Sequence, residues 1–309
     1  MLFLFDRLNL LVVAYAGMFA AYGYSIRSAR LRWLGLAVAI NLKPYFVAIL
    51  LGQLLHKRWR WAEGALVATI AVGALAYVIV GAGSPMEIYR NIAEFSSDPN
   101  RAASWPFIFY ASSYTSLIQF LESSFPLMAI VGSGPLDLWP GILRVVIHFT
   151  QAATIAACIG IWWRPGAVSR IRAMTLCYTF VIITVEPGGY TMAGAIFGVF
   201  FEAWRGPARI AIVCAYLLSI SFDVNWAYLG SFWADSYRTH GPVFFESWVT
   251  AGPFVRPGIV IAMQLALCAA TFADVRRTTA KSPFVPQAGR PEHTPRLRSA
   301  RMEEREIGP

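Results

Sequence analysis

Residues 27–60 read RSARLRWLGLAVAINLKPYFVAILLGQLLHKRWR: two apolar arms, basic residues at both ends, and Asn41-Leu42-Lys43-Pro44 between the arms. Pro44 removes a helical hydrogen bond and pushes Lys43 out of helical geometry. A lysine in the middle of an apolar run is also costly in lipid. A second stretch, Ala173 to Trp204, follows the same plan. Arginines flank it, and Glu186-Pro187-Gly188-Gly189-Tyr190 breaks its middle. Each stretch is either one kinked crossing of a membrane or a hairpin whose two ends share one side.

Charge decides between them. The chain carries 26 Lys/Arg against 17 Asp/Glu, a net charge of +9. Of the 26 basic residues, 19 fall in five clusters: Arg27 to Arg32, Lys57 to Arg60, Arg164 to Arg172, Arg205 to Arg209, and Arg276 onward. Each borders an apolar segment, so the charge marks topology and no nucleic-acid partner is expected. Single crossings would put the second and third clusters outside, and the long acidic loop from Gly81 to Leu138 inside. Hairpins put all five clusters in the cytoplasm and both long loops outside, as the positive-inside rule requires. The arms have about 11 to 14 residues, roughly 17 to 21 Å at helical rise. Hydrocarbon is about 30 Å thick. Broken backbone at membrane depth is tolerated only beside protein or a water-filled cavity, so both apices are expected to face a polar cavity in the outer half of the membrane.

Five segments are long enough to cross outright: Leu8 to Tyr24, Trp61 to Val80, Trp139 to Trp163, Ala208 to Leu229, and Gly258 to Val275. Composition agrees. Hydrophobic residues make up 57% and charged residues 14%, against about a quarter charged in a soluble domain. The expected fold is all-α: a polytopic integral membrane protein with about five full transmembrane helices and two short broken-helix hairpins. Residues 1–277 form the transmembrane domain, and 278–309 form a disordered basic tail in the cytoplasm. The start lacks the basic n-region and small-residue cleavage site of a signal peptide.

Ionisable groups inside apolar segments are the functional candidates. Lys43 and Asn41 mark the first apex, Glu186 and Tyr190 the second. Arg144, His148 and Gln151 follow at helical spacing on one face. Asp223 lies near the outer end of the segment from Ala208. A cavity holding Lys43, Arg144 and His148 suits a phosphate: arginine offers forked donors and lysine a point charge. Glu186 or Asp223 would act as general base once burial raises its pKa. Against this, Arg144 can snorkel to the interface, and Asp223 can pair with it structurally. The four cysteines lie in apolar segments without metal spacing, so no metal or other cofactor is expected. The outside loops, with SWPFIFYASSYTSLIQFLESSF at 104–125 and Trp233, Tyr237, Phe244, Phe245 and Trp248 in the second, are read as interfacial aromatic belts, with sugar or lipid-headgroup stacking as the alternative.

The arrangement of basic turn, small-residue helix, Lys-Pro break, apolar helix and Lys/Arg/Trp cluster over 27–60 resembles the polyprenol-phosphate-dependent glycosyltransferases of the GT-C superfamily, particularly glycosyltransferase family 87. Asp6-Arg7-Leu8-Asn9 is similar to that family's Arg-Gly-Asn segment, with Leu8 in place of glycine, and MEIYRNIAEFSS at 86–97 fits loosely. The resemblance implies a GT-C-like fold in the cytoplasmic membrane and inverting transfer of a sugar from a polyprenyl-phosphate donor to a glycan or glycolipid acceptor on the outer face. It carries Lys43 over as a phosphate contact. It places the family's catalytic carboxylate in a first outside loop that precedes everything matched here, so it assigns no catalytic base to this chain and leaves a truncated or inactive relative as one expectation. Two other classes compete: a transporter, whose broken helices would sit in related halves, and a non-catalytic partner in envelope assembly.

Overall fold

The computed structural model describes residues 11–23, 26–81, 83–84, 86–87, 89–90, 111–115, 117–118, 138–185, 189–220, 222, 224–235 and 241–280. Within them the chain forms α1 (Leu11–Tyr22), α2 (Ala29–Leu42), a 3-10 turn (Pro44–Val47), α3 (Ala48–Leu55) and α4 (Trp59–Val80). Beyond the first long loop come α5 (Trp139–Trp163), a 3-10 turn (Pro165–Ala167), α6 (Arg170–Thr184), a 3-10 turn (Gly189–Thr191), α7 (Met192–Phe200) and α8 (Ala208–Leu218). A two-stranded antiparallel hairpin, β1 (Asn225–Asp235) and β2 (Pro242–Thr250), leads into α9 (Gly252–Ala280).

Both breaks fall where proline and glycine chemistry put them, and both stretches are hairpins. Trp33 lies against Gly64, and Asn41 lies against Thr69 and Gly73, so α2 and α4 run parallel. The short α3 between them must therefore return. In the second hairpin Gly194 lies against Tyr178 and Gly198 against Thr175, which makes α6 and α7 antiparallel. Ser28 and Ser169 cap the rising arms alike, each side chain accepting from the N–H three residues on.

The two hairpins interlock. α3 packs antiparallel along α6, with Phe46 against Tyr178 at one end and Gly52 against Met174 lower down. A Cβ on Gly52 would lie 2.6 Å from the Met174 backbone, so glycine is what lets the helices approach. α1 and α2 cross at Gly17 and Gly35 for the same reason. The core sits around α6, which buries ten of its 15 residues. Against it lie α3, α5, α7 and α9. α4 is peripheral: Val67, Ile70 and Val78 are 66%, 65% and 81% exposed, a face suited to lipid.

Among the described residues, three helices are long and apolar enough to cross a membrane: Trp59–Ile79, Trp139–Trp163 and Gly252–Thr279. The five-span expectation needs adjustment at Ala208 to Leu229, and its first segment is described only in part. The segment Leu8 to Tyr24 is helical over Leu11–Tyr22, 12 residues, and residues 1–10 lie outside the described ones. The segment Ala208 to Leu229 is not one helix. α8 stops after 11 residues, and from Asn225 the chain is strand. The aromatic residues of Asn225–Asp235 suit a strand, and Tyr228–Trp248 and Trp233–Phe244 meet across the hairpin with ring centroids 4.9 and 5.3 Å apart. The fold is otherwise helical, as expected.

The order of elements repeats. α1, α2, 3-10 turn, α3, α4 is matched by α5, α6, 3-10 turn, α7, α8, apart from the added 3-10 turn Pro165–Ala167 between α5 and α6. Packing does not repeat with it. α2 packs chiefly on α1 and α4, whereas α6 is surrounded by α3, α5, α7 and α9.

Candidate functional site

All the basic clusters with described residues converge on one end of the bundle. Arg32 lies over Gly23, Arg58 and Arg170 flank His56, and Arg172, Arg205 and Arg277 meet at Asp274. Arg172 is the centre of that end. Its Nε donates to Glu202 Oε1 at 2.9 Å, its Nη2 to Glu202 Oε2, and its Nη1 to Asp274 Oδ2 at 2.7 Å. The forked pair closes the open end of the α6–α7 hairpin, and Asp274 ties α9 to it.

Toward the other end the first break packs on α6, whose Tyr178 in turn reaches the turn beyond the second break. Phe46 stacks on Tyr178 with centroids 5.4 Å apart and planes 18° from parallel; Tyr45 lies 6.2 Å from the same ring. Tyr178 Oη donates to the Thr191 carbonyl at 3.0 Å, which binds α6 to the turn beyond the second break. Asn41 lies level with Gly73, seven residues below the top of α4, so the first apex sits roughly 10 Å below that end.

Of the residues singled out from sequence, Lys43 occupies the break itself. Its backbone is extended (φ −148°, ψ 103°), its N–H donates to Ala39 and its carbonyl accepts from Phe46 N–H at 3.1 Å. Asn41 serves the scaffold: its Nδ2 donates to the Ala37 and Thr69 carbonyls at 2.9 and 3.0 Å, joining α2 to α4. Arg144 and His148 share an exposed face of α5, as their spacing requires. His148 Nδ1 is 3.1 Å from Gln151 Oε1, and Gln151 Nε2 donates to Thr184 Oγ1 at 3.0 Å. This chain of bonds carries the face to the end of α6, beside the second break. Tyr190 has its backbone in the Gly189–Thr191 turn; its side chain, Glu186 and Asp223 lie outside the described residues.

Besides the Arg172 cluster, two further polar arrangements escaped the sequence reading. Gln264, fully buried on α9, donates through Nε2 to Thr154 Oγ1 and the Leu176 carbonyl, both at 3.0 Å, and so knits α5, α6 and α9. The other is a cavity of ≈ 450 Å³ at the basic end, lined by Tyr22, Gly23, His56, Ser169 and Arg170 among others. A separate cleft of ≈ 340 Å³ is apolar, bounded by Leu51, Leu55, Ile155, Ile159, Trp162 and Phe180 among others. Neither is lined by the apex candidates. Among the described residues no group of His, Cys, Asp and Glu is arranged to hold a metal ion.

No family model, no curated protein and no solved structure matches the chain. With its three helices long and apolar enough to span, and the basic residues gathered at one end, the architecture is that of an integral membrane protein.

Proposed function

We propose that this protein is a glycosyltransferase-like enzyme of the cytoplasmic membrane that receives a polyprenyl-phosphate sugar at its two hairpin apices. The observation that carries the reading is the junction of the two breaks through Phe46, Tyr178 and Thr191, which brings irregular backbone from both hairpins to one place within the bundle. Backbone of that kind needs protein or a polar cavity around it. With the basic end in the cytoplasm, the first break lies on the side of the outer leaflet, where Lys43 would meet the donor phosphate, and His148 and Arg144 stand along α5. In the transfer, the acceptor hydroxyl attacks the anomeric carbon, a carboxylate takes the proton, and the lipid phosphate leaves with the bonding electrons. Glu186 and Asp223 are the carboxylates proposed for the proton.

The test uses the full chain in lipid nanodiscs with a polyprenyl-phosphate hexose. Saturable binding, weakened about tenfold or more by Lys43→Ala, is expected. Absence of binding to any such donor sinks the reading. A transporter is the second reading, favoured by the repeated order of elements. Solute flux through proteoliposomes, without transfer to any acceptor, would move the assignment to it.

A further inference from the structure

At the basic end, the carboxylates and the arginines are unevenly shared. Glu202 and Asp274 are both committed to Arg172, and Asp274 also draws Arg205 and Arg277 at 3.9 and 3.5 Å. Arg170 stands two residues before Arg172 and lines the ≈ 450 Å³ cavity with His56. The charges acting on His56 are Arg170 and Arg58, and those acting on Arg58 are Arg170 and Arg32. Arg170 thus lines the cavity, Arg32 lies over Gly23 in its wall, and Arg58 follows the lining residue His56 by two positions, while Glu202 and Asp274 are engaged by Arg172. Arg32 Nε and His56 Nε2 are buried there without a hydrogen-bond partner of ordinary geometry. The first turn of α6 adds helix N–H groups that have no carbonyl four residues back.

An apolar slot adjoins this cavity along the chain. α3 contributes to both: Leu51 and Leu55 line the ≈ 340 Å³ cleft, and His56, the next residue, lines the basic cavity. The cleft runs along α5 from Trp162 up to Thr154, eight residues or roughly 12 Å at helical rise. Its lower end lies toward the basic end of the bundle, where Trp162 sits under the Lys57 ammonium, 5.7 Å from the ring centre. Cation-lined cavity and apolar cleft together have the polarity of a phospholipid.

We infer that the cavity between the α1–α2 turn, the α3–α4 turn and the start of α6 binds the phosphate headgroup of an acidic membrane lipid, with an acyl chain along the Leu51–Leu55 cleft. Arg170, Arg58 and Arg32 supply the charge and forked donors, and His56 adds an imidazole donor. A basic pocket between helices at the basic membrane face is the setting in which acidic headgroups are recognised. The site lies at the end of the bundle away from the apices, so it stands or falls separately from the transferase reading.

The experiment follows thermal unfolding and retained lipid for the full chain in neutral detergent, with added phosphatidylglycerol, phosphatidylcholine or inorganic phosphate. Phosphatidylglycerol is expected to be retained and to raise the unfolding temperature, with phosphatidylcholine at least tenfold weaker. Arg170→Gln and Arg58→Gln should each weaken the acidic lipid about tenfold, one charge-assisted contact being worth about that factor. Ile159→Trp, which fills the cleft, should reduce lipid retention in a chain whose arginines are intact, so a folding defect in one arginine variant does not decide the matter. Equal retention of the two lipids, or indifference to all three substitutions, overturns the inference. Saturable stabilisation by inorganic phosphate with none by phosphatidylglycerol overturns the lipid assignment.

Discussion

Phe46 and Tyr178, 132 positions apart in sequence, stack at 5.4 Å, the first beside the break at Pro44 and the second about two helical turns before the other break. Phe46 lies two residues after Pro44, and the Tyr178 hydroxyl reaches past the second break to Thr191. One ring contact and one hydrogen bond therefore hold break to break. The hairpins do not need to span the membrane to be stable, because each one's end is packed on the other's.

That junction has a measurable cost of removal. Phe46 is fully buried, and Phe46→Ala should destabilise the protein by about 3–5 kcal/mol. Tyr178→Phe removes the hydroxyl and its bond to Thr191 while keeping the ring, and should cost about 1–3 kcal/mol. Val47, the next residue and 47% exposed, is the control. Thermal unfolding in detergent reports all three; a Val47→Ala loss as large as that of Phe46→Ala would contradict the packing.

The hairpin topology predicts a labelling pattern. In a chain whose four cysteines are replaced, Arg27→Cys, Arg60→Cys and Arg164→Cys should react with a membrane-impermeant thiol reagent from the same side. Ser231→Cys, exposed on β1, should react from the opposite side. A kinked crossing of residues 31–56 would instead separate Arg27→Cys from Arg60→Cys.

Much of this was legible because proline and charge act locally. Pro44 and the Pro187-Gly188-Gly189 run disrupt helices by their own covalent structure, and the basic clusters report sidedness wherever they fall. What was not legible depended on partners far away. Asn41 looks like a ligand beside Lys43, yet Thr69, 28 residues on, takes its amide proton. Gln264 sits in an apolar run that gives no hint of Thr154 and Leu176, its partners 110 and 88 residues back. The β1–β2 hairpin was hidden for another reason: apolarity runs on from α8 into Asn225–Asp235, and the change of period from helix to strand occupies too few residues to stand out.

Gln264 carries its own prediction. In lipid an interhelical hydrogen bond contributes about 0.6–2 kcal/mol, and Gln264 Nε2 makes two. Gln264→Leu should therefore lower stability by about 1–3 kcal/mol, seen as a lower unfolding temperature. Thr154→Val removes one of the two, together with the Thr154 bond to the Thr150 carbonyl, and should cost less; a larger loss from Thr154→Val would contradict the weight given to Gln264.

The Arg172 cluster should respond in opposite ways to partial and complete removal. Its side chain is 5% exposed and that of Glu202 4%, so Arg172→Met strands a buried carboxylate and should cost about 3–5 kcal/mol. Replacing Arg172, Glu202 and Asp274 together with Met and Leu should recover most of that loss, since no buried charge is left. Arg205 and Arg277, at 63% and 61% exposure, lose little in the process. Failure of the triple variant to outlast Arg172→Met on heating would show that the cluster does more than compensate its own burial.

His56 gives the pH dependence. Burial first, and then the Arg170 charge, hold its imidazole below the ordinary value near 6.5; a bond to the Ser169 backbone opposes them, and Arg58 adds to the lowering. The unfolded chain therefore binds a proton at a higher pH than the folded one does. Between the ordinary value and the lowered one the unfolded state holds more protons, so stability rises with pH through that window. The contribution is intact above about pH 6.5 and is lost as pH falls toward the folded-state value. Unfolding temperatures measured from pH 7.5 down to 5 should drop more steeply for the wild-type chain than for His56→Gln. The gap should narrow when an acidic lipid is bound, because a phosphate beside His56 favours the protonated ring. Parallel slopes for the two chains would remove His56 from the account of acid sensitivity.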